Sequence, residues 1–178
     1  MKKIIIMISL VVVSLTSCIT PSFLTIEDDH IYANMREWDF VTYFENTEIK
    51  FQNEFDDQYG RLQAKFEVID TANNLMMYVD LNRSDRLTET TCLKGRLPSL
   101  GFSPMEMDKI DIKKTGNMQY FERLVEFDAK TKVDRMTYYA FLYEKDYCMM
   151  IRIIKKQFKE KDRAMMDKIL KSIAIKDQ

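Results

Sequence analysis

Residues that commonly build catalytic and metal sites are scarce in this sequence, which has one histidine, three cysteines and four glycines among 178 residues. A metal site draws on clustered His, Cys or carboxylate ligands, and His30, Cys92 and Cys148 are far apart along the chain. The glycines are too dispersed for a phosphate-binding loop, and no G-x-S-x-G nucleophile motif occurs. The sequence therefore predicts no catalytic residues, no metal site and no cofactor.

An excess of charge and a flexible linker are also missing. The chain has 27 basic and 28 acidic residues, whereas a nucleic-acid-binding protein needs a basic face to neutralise phosphates. It has three prolines and no Ser/Gly-rich or Pro-rich stretch that would separate two domains. Because 46% of its residues are hydrophobic, it can fill a core of its own. We expect one globular domain and no nucleic-acid partner.

The N-terminus has the pattern of a secretion signal. Lys2 and Lys3 are followed by an apolar segment and then by small residues. The apolar segment, residues 4–15, is about 12 residues long, whereas a helix needs roughly 20 to span a bilayer. Residues 1–17 are therefore predicted to be a signal peptide and not a membrane anchor.

The four residues Leu15-Thr16-Ser17-Cys18 resemble the bacterial lipobox. The resemblance implies that residues 1–17 are removed and that Cys18 begins the mature chain, carrying a thioether-linked diacylglycerol and an amide-linked acyl chain. At about 0.8 kcal/mol per buried methylene, two or three such chains give stable membrane attachment. Residues 18–34 are then predicted to be the lipidated N-terminus and tether, and residues 35–178 the globular domain. The alternative is a conventional signal peptide cleaved elsewhere, with Cys18 incidental.

The residues after Cys18 indicate in which membrane a lipidated chain is expected. Ile19 is not the Asp that is associated with inner-membrane retention, and the acidic residues Glu27, Asp28 and Asp29 come late for a surface-export signal. We therefore expect a cell-envelope protein of the outer membrane that faces the periplasm, with the cell surface as the alternative. Its expected partners are the membrane, through the lipid on Cys18, and an envelope protein. The oligomeric state stays open.

Two cysteines, Cys92 and Cys148, remain once Cys18 is set aside. An exported compartment permits a disulfide, and an even number of remaining cysteines is compatible with one. Free cysteine is also a common small hydrophobic residue of protein cores. Both interpretations, a disulfide and two separate buried thiols, stay open from the sequence.

Hydrophobic residues recur with period two through most of the mature chain, which is typical of half-buried strands. In the segment 48–55 the alternation places Ile49, Phe51 and Phe55 on one side. Further strands are predicted at 38–44, 61–69, 75–81, 108–113, 120–128, 136–143 and 147–154. The last two segments are apolar on both faces, which predicts a central position in the sheet.

Two helices are predicted. Residues 84–100 form an imperfect helix that Ser84 caps and Pro98 and Gly101 end. Residues 162–175 form a clearer one, with Asp162 as its cap and an apolar stripe of Met166, Ile169, Leu170 and Ile173. The predicted fold class is α+β, with a meander-rich antiparallel sheet of about seven or eight strands and a middle and a C-terminal helix packed on it.

The closing segment Ile169-Leu170-Lys171-Ser172-Ile173, after two long strands and within a helix, resembles the end of the PsbP/Mog1-like fold. The residue pattern is similar over about 138–173, and the order of elements is similar over the mature domain. The G-F-S-x-x-x-P-x-x-W phrase common in that group is absent. The resemblance implies a non-catalytic accessory or assembly protein, and it transfers no functional residue.

Three classes of function are compatible with these observations. The leading hypothesis is a membrane-tethered, non-catalytic binding or assembly module of the bacterial envelope. The second is a carrier or sensor of a small hydrophobic ligand, because the aromatic residues of 138–147 can line a groove as well as pack a sheet. The third and weakest is an enzyme that uses carboxylates. Solvated acids explain pairs such as Asp56-Asp57, and core packing explains the methionine pairs.

Overall fold

A computed structural model describes residues 23–35, 38–56, 62–83, 88–125, 134–144 and 147–177 of the chain. Its strands form two antiparallel sheets, and a C-terminal helix packs against them. The predicted α+β class is therefore confirmed. The signal peptide and Cys18 lie outside the described residues.

The described chain contains eleven strands and three short α-helices, two of which have fewer than eight residues. The strands in chain order are β1 Leu24–Glu27, β2 His30–Met35, β3 Trp38–Tyr43, β4 Glu48–Asp56, β5 Leu62–Asp70, β6 Leu75–Arg83, β7 Lys113–Thr115, β8 Met118–Val125, β9 Arg135–Glu144, β10 Tyr147–Lys156 and β11 Ala174–Asp177. The helices are α1 Glu89–Lys94, α2 Pro104–Met107 and α3 Arg163–Ser172, with 3₁₀ turns at Pro98–Leu100 and Glu160–Asp162.

The small sheet has the order β1-β2-β3-β11. Asp28 and Asp29 join its first hairpin with φ angles of 48° and 59°, and positive φ at both loop residues gives the turn that matches strand twist. Leu24 and Ile31 are buried in the core. Residues 24–34 of the predicted tether thus form a hairpin that buries apolar side chains.

The large sheet has the order β4-β5-β6-β10-β9-β8-β7. Strands β9 and β10 pair with each other, with Ala140 opposite Ile151, and lie inside the sheet. Both faces of this hairpin are covered, as the apolar pattern predicts: Ile151 faces one core and Tyr139 the other. The predicted strand at 38–44 exists as β3, but it belongs to the small sheet.

A β-bulge changes which residues of β4 share a face. The register shifts between Ile49, which is opposite Val68, and Phe51, which is opposite Glu67. One extra residue in a strand reverses the alternation of the residues after it. The prediction that Ile49 and Phe51 share a side is therefore wrong, and Phe51 is 46% exposed on the other face. The side chain of Phe55 lies outside the described part of the chain.

Two hydrophobic cores lie on opposite faces of the large sheet. The first core joins the large sheet to the small sheet and to α3, through residues such as Phe40, Phe66 and Ile169. The second core joins β8, β9 and β10 to the helical segment of residues 89–110. Strand β9 and most of β10 are thus buried between two layers of covering elements.

The helical segment departs from the single helix predicted at 84–100. Thr88 begins α1, because its side chain accepts a hydrogen bond from the Thr91 amide in a capping box; Ser84 lies outside the described residues. Pro98 then starts a 3₁₀ turn, and Gly101 ends it with φ 81°. The strand predicted at 108–113 is reduced to β7, which starts at Lys113.

Helix α3 buries Met166, Ile169 and Leu170, three residues of the predicted apolar stripe. It ends at Ser172 instead of residue 175, because the chain continues as β11, which pairs with β3. Asp162 makes no side-chain cap to α3. Its Oδ2 accepts a hydrogen bond from the Lys159 amide one turn earlier, at 2.8 Å.

Candidate functional site

The domain begins close to the predicted lipid attachment point. Strand β1 starts at Leu24, and five residues, 19–23, separate it from Cys18. A chain extends by at most about 3.6 Å per residue, so the Cα atoms of Cys18 and Leu24 are within about 22 Å of each other. A lipid on Cys18 would therefore hold the small sheet near the membrane surface.

The strand pairs of β1, β2 and β3 show which residues lie at the Phe23 end of the small sheet. The Asn34 amide donates a hydrogen bond to the Phe23 carbonyl at 2.9 Å, and Leu24 lies opposite Ala33. Trp38, the only tryptophan in the sequence, is paired with Met35 at this end. The end of β2, at Met35, therefore lies beside the start of β1.

A groove of about 400 Å³ lies on the outer face of the small sheet. Its lining is mixed in character, with an aromatic ring, hydroxyl groups and two carboxylates. The lining residues are Phe23, Thr25, Glu27, Tyr32, Ala33, Asn34, Asp39, Phe40 and Val41. A lipid on Cys18 would bring this groove near the membrane, because Phe23 is one of its lining residues.

Cys92 and Cys148 form a disulfide with a Cα–Cα distance of 5.4 Å. Cys92 lies in α1 and Cys148 in β10, and the two residues are 1% and 0% exposed. Of the two interpretations left open by the sequence, the structure contains the bonded pair. The bond attaches the helical segment to the central strand of the large sheet.

The aromatic residues that could have lined a ligand groove are divided between the two cores. Tyr138 and Tyr147 lie in the first core, whereas Tyr139 and Phe141 lie in the second. Strand alternation sends neighbouring side chains to opposite faces, which separates the run. Tyr139 stacks on Phe121 with ring centroids 4.9 Å apart. These residues serve the packing of the sheet.

A buried polar network joins α3 to the large sheet. The Tyr138 hydroxyl donates to Asp167 at 2.8 Å and accepts from Arg163 at 3.3 Å, and Arg163 also pairs with Glu122. Burial raises the pKa of Tyr138, and the bond to Asp167 raises it further. Hydrogen bonds to Glu160 and Glu122 raise the pKa of Arg163. Both groups hold their protons at neutral pH, and the network joins α3 to the large sheet.

A second polar cluster lies beneath the helical segment. The buried Asp80 carboxylate lies 3.6 Å from Arg96 and 3.8 Å from Lys65, and it accepts a hydrogen bond from Asn82. Burial raises the pKa of the neighbouring Tyr78, and the charge of Asp80 contributes to the increase. Arg96 belongs to the helical segment, so this ion pair is a second link between that segment and the sheet.

Metal binding and membrane crossing find no support in the described residues. Within those ranges, no three His, Cys, Asp or Glu side chains are grouped so that they could hold a metal ion. The ring of His30 packs between Tyr32 and Tyr43, and its Nδ1 lies 2.8 Å from the Asp28 carbonyl. None of the helices in the described part of the chain is long and apolar enough to cross a bilayer.

A smaller cavity of about 240 Å³ opens between the two sheets, at the turn between β7 and β8. Side chains from both sheets and from α3 form its walls, which combine apolar groups with polar ones such as Thr115, Asn117 and Lys171. The lining residues are Thr115, Gly116, Asn117, Met118, Leu142, Leu170, Lys171, Ile173, Ala174 and Ile175. Its size suits a small apolar group.

Comparisons with known proteins give limited information. No protein-family profile matches the chain, and no curated protein matches it. A crystal structure from Bacteroides thetaiotaomicron VPI-5482, at 1.50 Å resolution, is similar with a TM-score of 0.44 and 10% sequence identity. The similarity covers 78% of this chain and 46% of that chain, so this chain spans about half the length of that protein.

Proposed function

We propose that the chain is a bacterial lipoprotein, anchored by lipid on Cys18, whose domain is a non-catalytic binding or assembly module of the envelope. The signal pattern of residues 1–17 and the lipobox-like Leu15-Thr16-Ser17-Cys18 support the anchor. We place the protein in the outer membrane facing the periplasm, with an envelope protein as its partner. No sequence or structural match identifies that partner.

The observation that carries the proposal is the disulfide between Cys92 and Cys148. Structural disulfides form in oxidising compartments outside the bacterial cytosol. The disulfide lies more than 70 residues after the signal pattern and does not depend on it. Two separate features, one at the N-terminus and one in the core, thus support export from the cytosol.

The contacts of the buried polar groups support a binding or assembly role, because these groups join one element of the fold to another. Tyr138 and Asp80 are each joined to partners on another element, so they strengthen the packing of α3 and of the helical segment. The resemblance of residues 169–173 to the end of the PsbP/Mog1-like fold agrees with an accessory protein. Such a protein works through its surface, and its buried groups maintain the shape of that surface.

The anchor is tested by Cys18→Ala in the full-length chain. We expect this variant to lose labelling by radioactive fatty acid and to leave the membrane fraction, because the thiol that accepts the diacylglycerol is gone. The matched control is Ser17→Ala, which keeps a small residue in the lipobox position and should be labelled normally. Retention of both label and membrane association by Cys18→Ala would refute the lipid anchor.

A second candidate, a carrier of a small hydrophobic ligand, is favoured by the cavity of about 240 Å³ between Met118, Leu142 and Leu170. These apolar side chains can contact a short acyl or isoprenoid group, while Thr115 and Asn117 add polar surface to a cavity that is smaller than typical ligand sites of roughly 300–1,000 Å³. Native mass spectrometry of the protein purified from membranes should then show a bound small molecule that Leu142→Phe displaces. A mass that matches the lipidated chain alone would contradict this function.

A further inference from the structure

The helical segment of residues 89–110 covers one half of the second face of the large sheet. The buried apolar residues of this second core come from that segment and from β8, β9 and β10, for example Leu93, Phe121 and Phe141. Among the described side chains of strands β4, β5 and β6, Tyr78 alone contributes apolar contacts, at the border of the core. We call the remaining half, built around Phe51, Glu67, Tyr78 and Arg152, the open face.

These four residues form a row across four adjacent strands. Phe51 of β4 is opposite Glu67 of β5, Glu67 is opposite Tyr78 of β6, and Tyr78 is opposite Arg152 of β10. Opposite residues in a sheet project from the same side, so the row presents two aromatic rings, a carboxylate and a guanidinium together. Phe51 is 46% exposed, and the other three are partly exposed.

Arg152 lacks a carboxylate partner within the described chain. Its guanidinium carbon lies 4.4 Å from the centroid of the Tyr78 ring, and its Nε is buried without a hydrogen-bond acceptor. By contrast, Arg123 stacks on Phe102 at a similar distance of 4.5 Å and also lies 3.6 Å from Glu106. Half-buried guanidinium groups are normally paired, so an unpaired one in mid-strand calls for an explanation.

We propose that the open face binds an acidic segment of a partner protein and that Arg152 receives an Asp or Glu carboxylate from it. The inference rests on the proposed assembly function and names the chemistry of its partner. A guanidinium that lies over an aromatic ring can still direct its terminal N–H groups to a carboxylate through two parallel bonds. Phe51 and Tyr78 add apolar contact area of the kind that anchors protein interfaces.

The neighbouring charges favour a single carboxylate over a polyanion. Asp80 already neutralises Lys65 and Arg96, which lie within 3.8 Å and 3.6 Å of it, so these cations add little free positive charge to the face. Glu67 lies in the same row as Arg152, one strand beyond Tyr78, and would repel a chain of phosphates. One unpaired cation among apolar groups suits a protein segment with one or two acids.

The test is site-specific photo-crosslinking in native membranes with the full-length chain. Phe51→p-benzoylphenylalanine places a crosslinker on the open face while Cys18 and the lipid anchor remain. We expect a crosslinked product whose site, mapped by mass spectrometry, lies in a segment of the partner that contains Asp or Glu. Adding Arg152→Gln should reduce the yield at least about tenfold, because the partner's carboxylate loses its counter-charge.

Arg123→Gln is the matched control, since it removes a ring-stacked arginine that already has its own carboxylate, and it should leave the crosslinking yield unchanged. Arg152→Lys keeps the charge and should give an intermediate yield, which separates loss of binding from loss of folding. Products made only with lipid, sites in segments without acids, no product at all, or a yield that Arg152→Gln does not change would each overturn the inference. Membrane fractionation of the same samples tests the anchor separately.

Discussion

Ser172 joins the last helix to the small sheet through one hydroxyl oxygen. Its Oγ donates to the Ile169 carbonyl at 2.7 Å and accepts from the Tyr43 amide at 2.8 Å, and the buried Thr42 hydroxyl lies 3.0 Å away. The serine of the Ile-Leu-x-Ser-Ile phrase thus has a structural role. It accepts the hydrogen bond of the Tyr43 amide in β3, at the C-terminal end of α3.

We predict that Ser172→Ala lowers the free energy of unfolding by about 1–3 kcal/mol, the cost of leaving a partly buried donor without an acceptor. Urea denaturation of the purified protein measures the change. The control is Lys171→Ala, which alters the neighbouring exposed position and should stay within about 0.5 kcal/mol of the parent. Equal stability of the two variants would contradict the role given to the hydroxyl.

Glu122 gives the stability of the protein a dependence on acid. Burial alone would raise its pKa, but hydrogen bonds from Lys113 and Arg163 outweigh burial, so the pKa of Glu122 in the folded protein lies below its usual value. A carboxyl with a lowered folded pKa stabilises the protein above its unfolded pKa of about 4.3 and loses that contribution as the pH falls through the folded pKa.

We therefore expect the parent protein to lose stability as the pH falls below about 5, and Glu122→Gln to lose less over the same interval. Urea midpoints measured between about pH 7 and pH 3 give the two curves. Glu45→Gln changes an exposed glutamate and should reproduce the parent curve. If Glu122→Gln also reproduced it, the ion pairs of Glu122 with Lys113 and Arg163 would not contribute to folding.

At the scale of elements, the sequence predicts strands best where period-two alternation is long. Segments 75–81 and 147–154 are confirmed within β6 and β10. The alternation cannot reveal the bulge in β4. The bulge depends on how the backbone pairs with β5, and it reverses the side of the sheet to which the later residues point. The sequence pattern places the β1–β2 hairpin in the tether because Asp28-Asp29 looks like a solvated acidic pair, although aspartate tolerates positive φ in a tight turn.

The disulfide is the strongest single link between two elements. It closes a loop with a sequence separation of 56 residues between α1 and β10. The chain-entropy relation gives about 4 kcal/mol for a loop of this length, and typical measured values are about 2–4 kcal/mol. We predict a loss in that range for the double variant Cys92→Ala with Cys148→Ala.

Urea unfolding with and without dithiothreitol measures this contribution. The reductant should lower the stability of the parent and leave the double variant unchanged, because the variant has no bond to break. A parent that is indifferent to reduction after full unfolding and refolding in dithiothreitol would show that the bond does not stabilise the fold. The sequence leaves the pairing as one of two interpretations, since spacing alone does not show which cysteines approach each other.

At the scale of the whole molecule, the proposed tether would determine how the domain is oriented relative to the membrane. Residues 19–23 separate Cys18 from β1, so a lipid on Cys18 would hold the Leu24 end of the small sheet within about 22 Å of the attachment point. Trp38, in β3 at the same end, is the only tryptophan and can report on this distance. The open face is on the far side of the large sheet from the small sheet, so the proposed anchor would leave it accessible to a partner.

We predict efficient energy transfer from Trp38 to dansyl-labelled lipid headgroups when the lipidated protein is reconstituted in vesicles. Inserting about 20 Gly/Ser residues after Ser22 should sharply reduce the transfer without reducing flotation with the vesicles, because a flexible chain of that length lets the domain move away. Transfer that is equally strong with the long linker would show that the domain contacts the membrane by itself. Weak transfer in both proteins would contradict the short tether.

For a chain exported as proposed, the buried disulfide also determines when the fold reaches its full stability. Before secretion, in a reducing cytosol, Cys92 and Cys148 stay as thiols, and the helical segment is held on the sheet by side-chain packing and the Asp80 ion pairs alone. The precursor is then several kcal/mol less stable than the mature protein, which helps it remain unfolded for translocation. Under the proposed export, the disulfide forms only after translocation, so the protein would reach its full stability outside the cytosol.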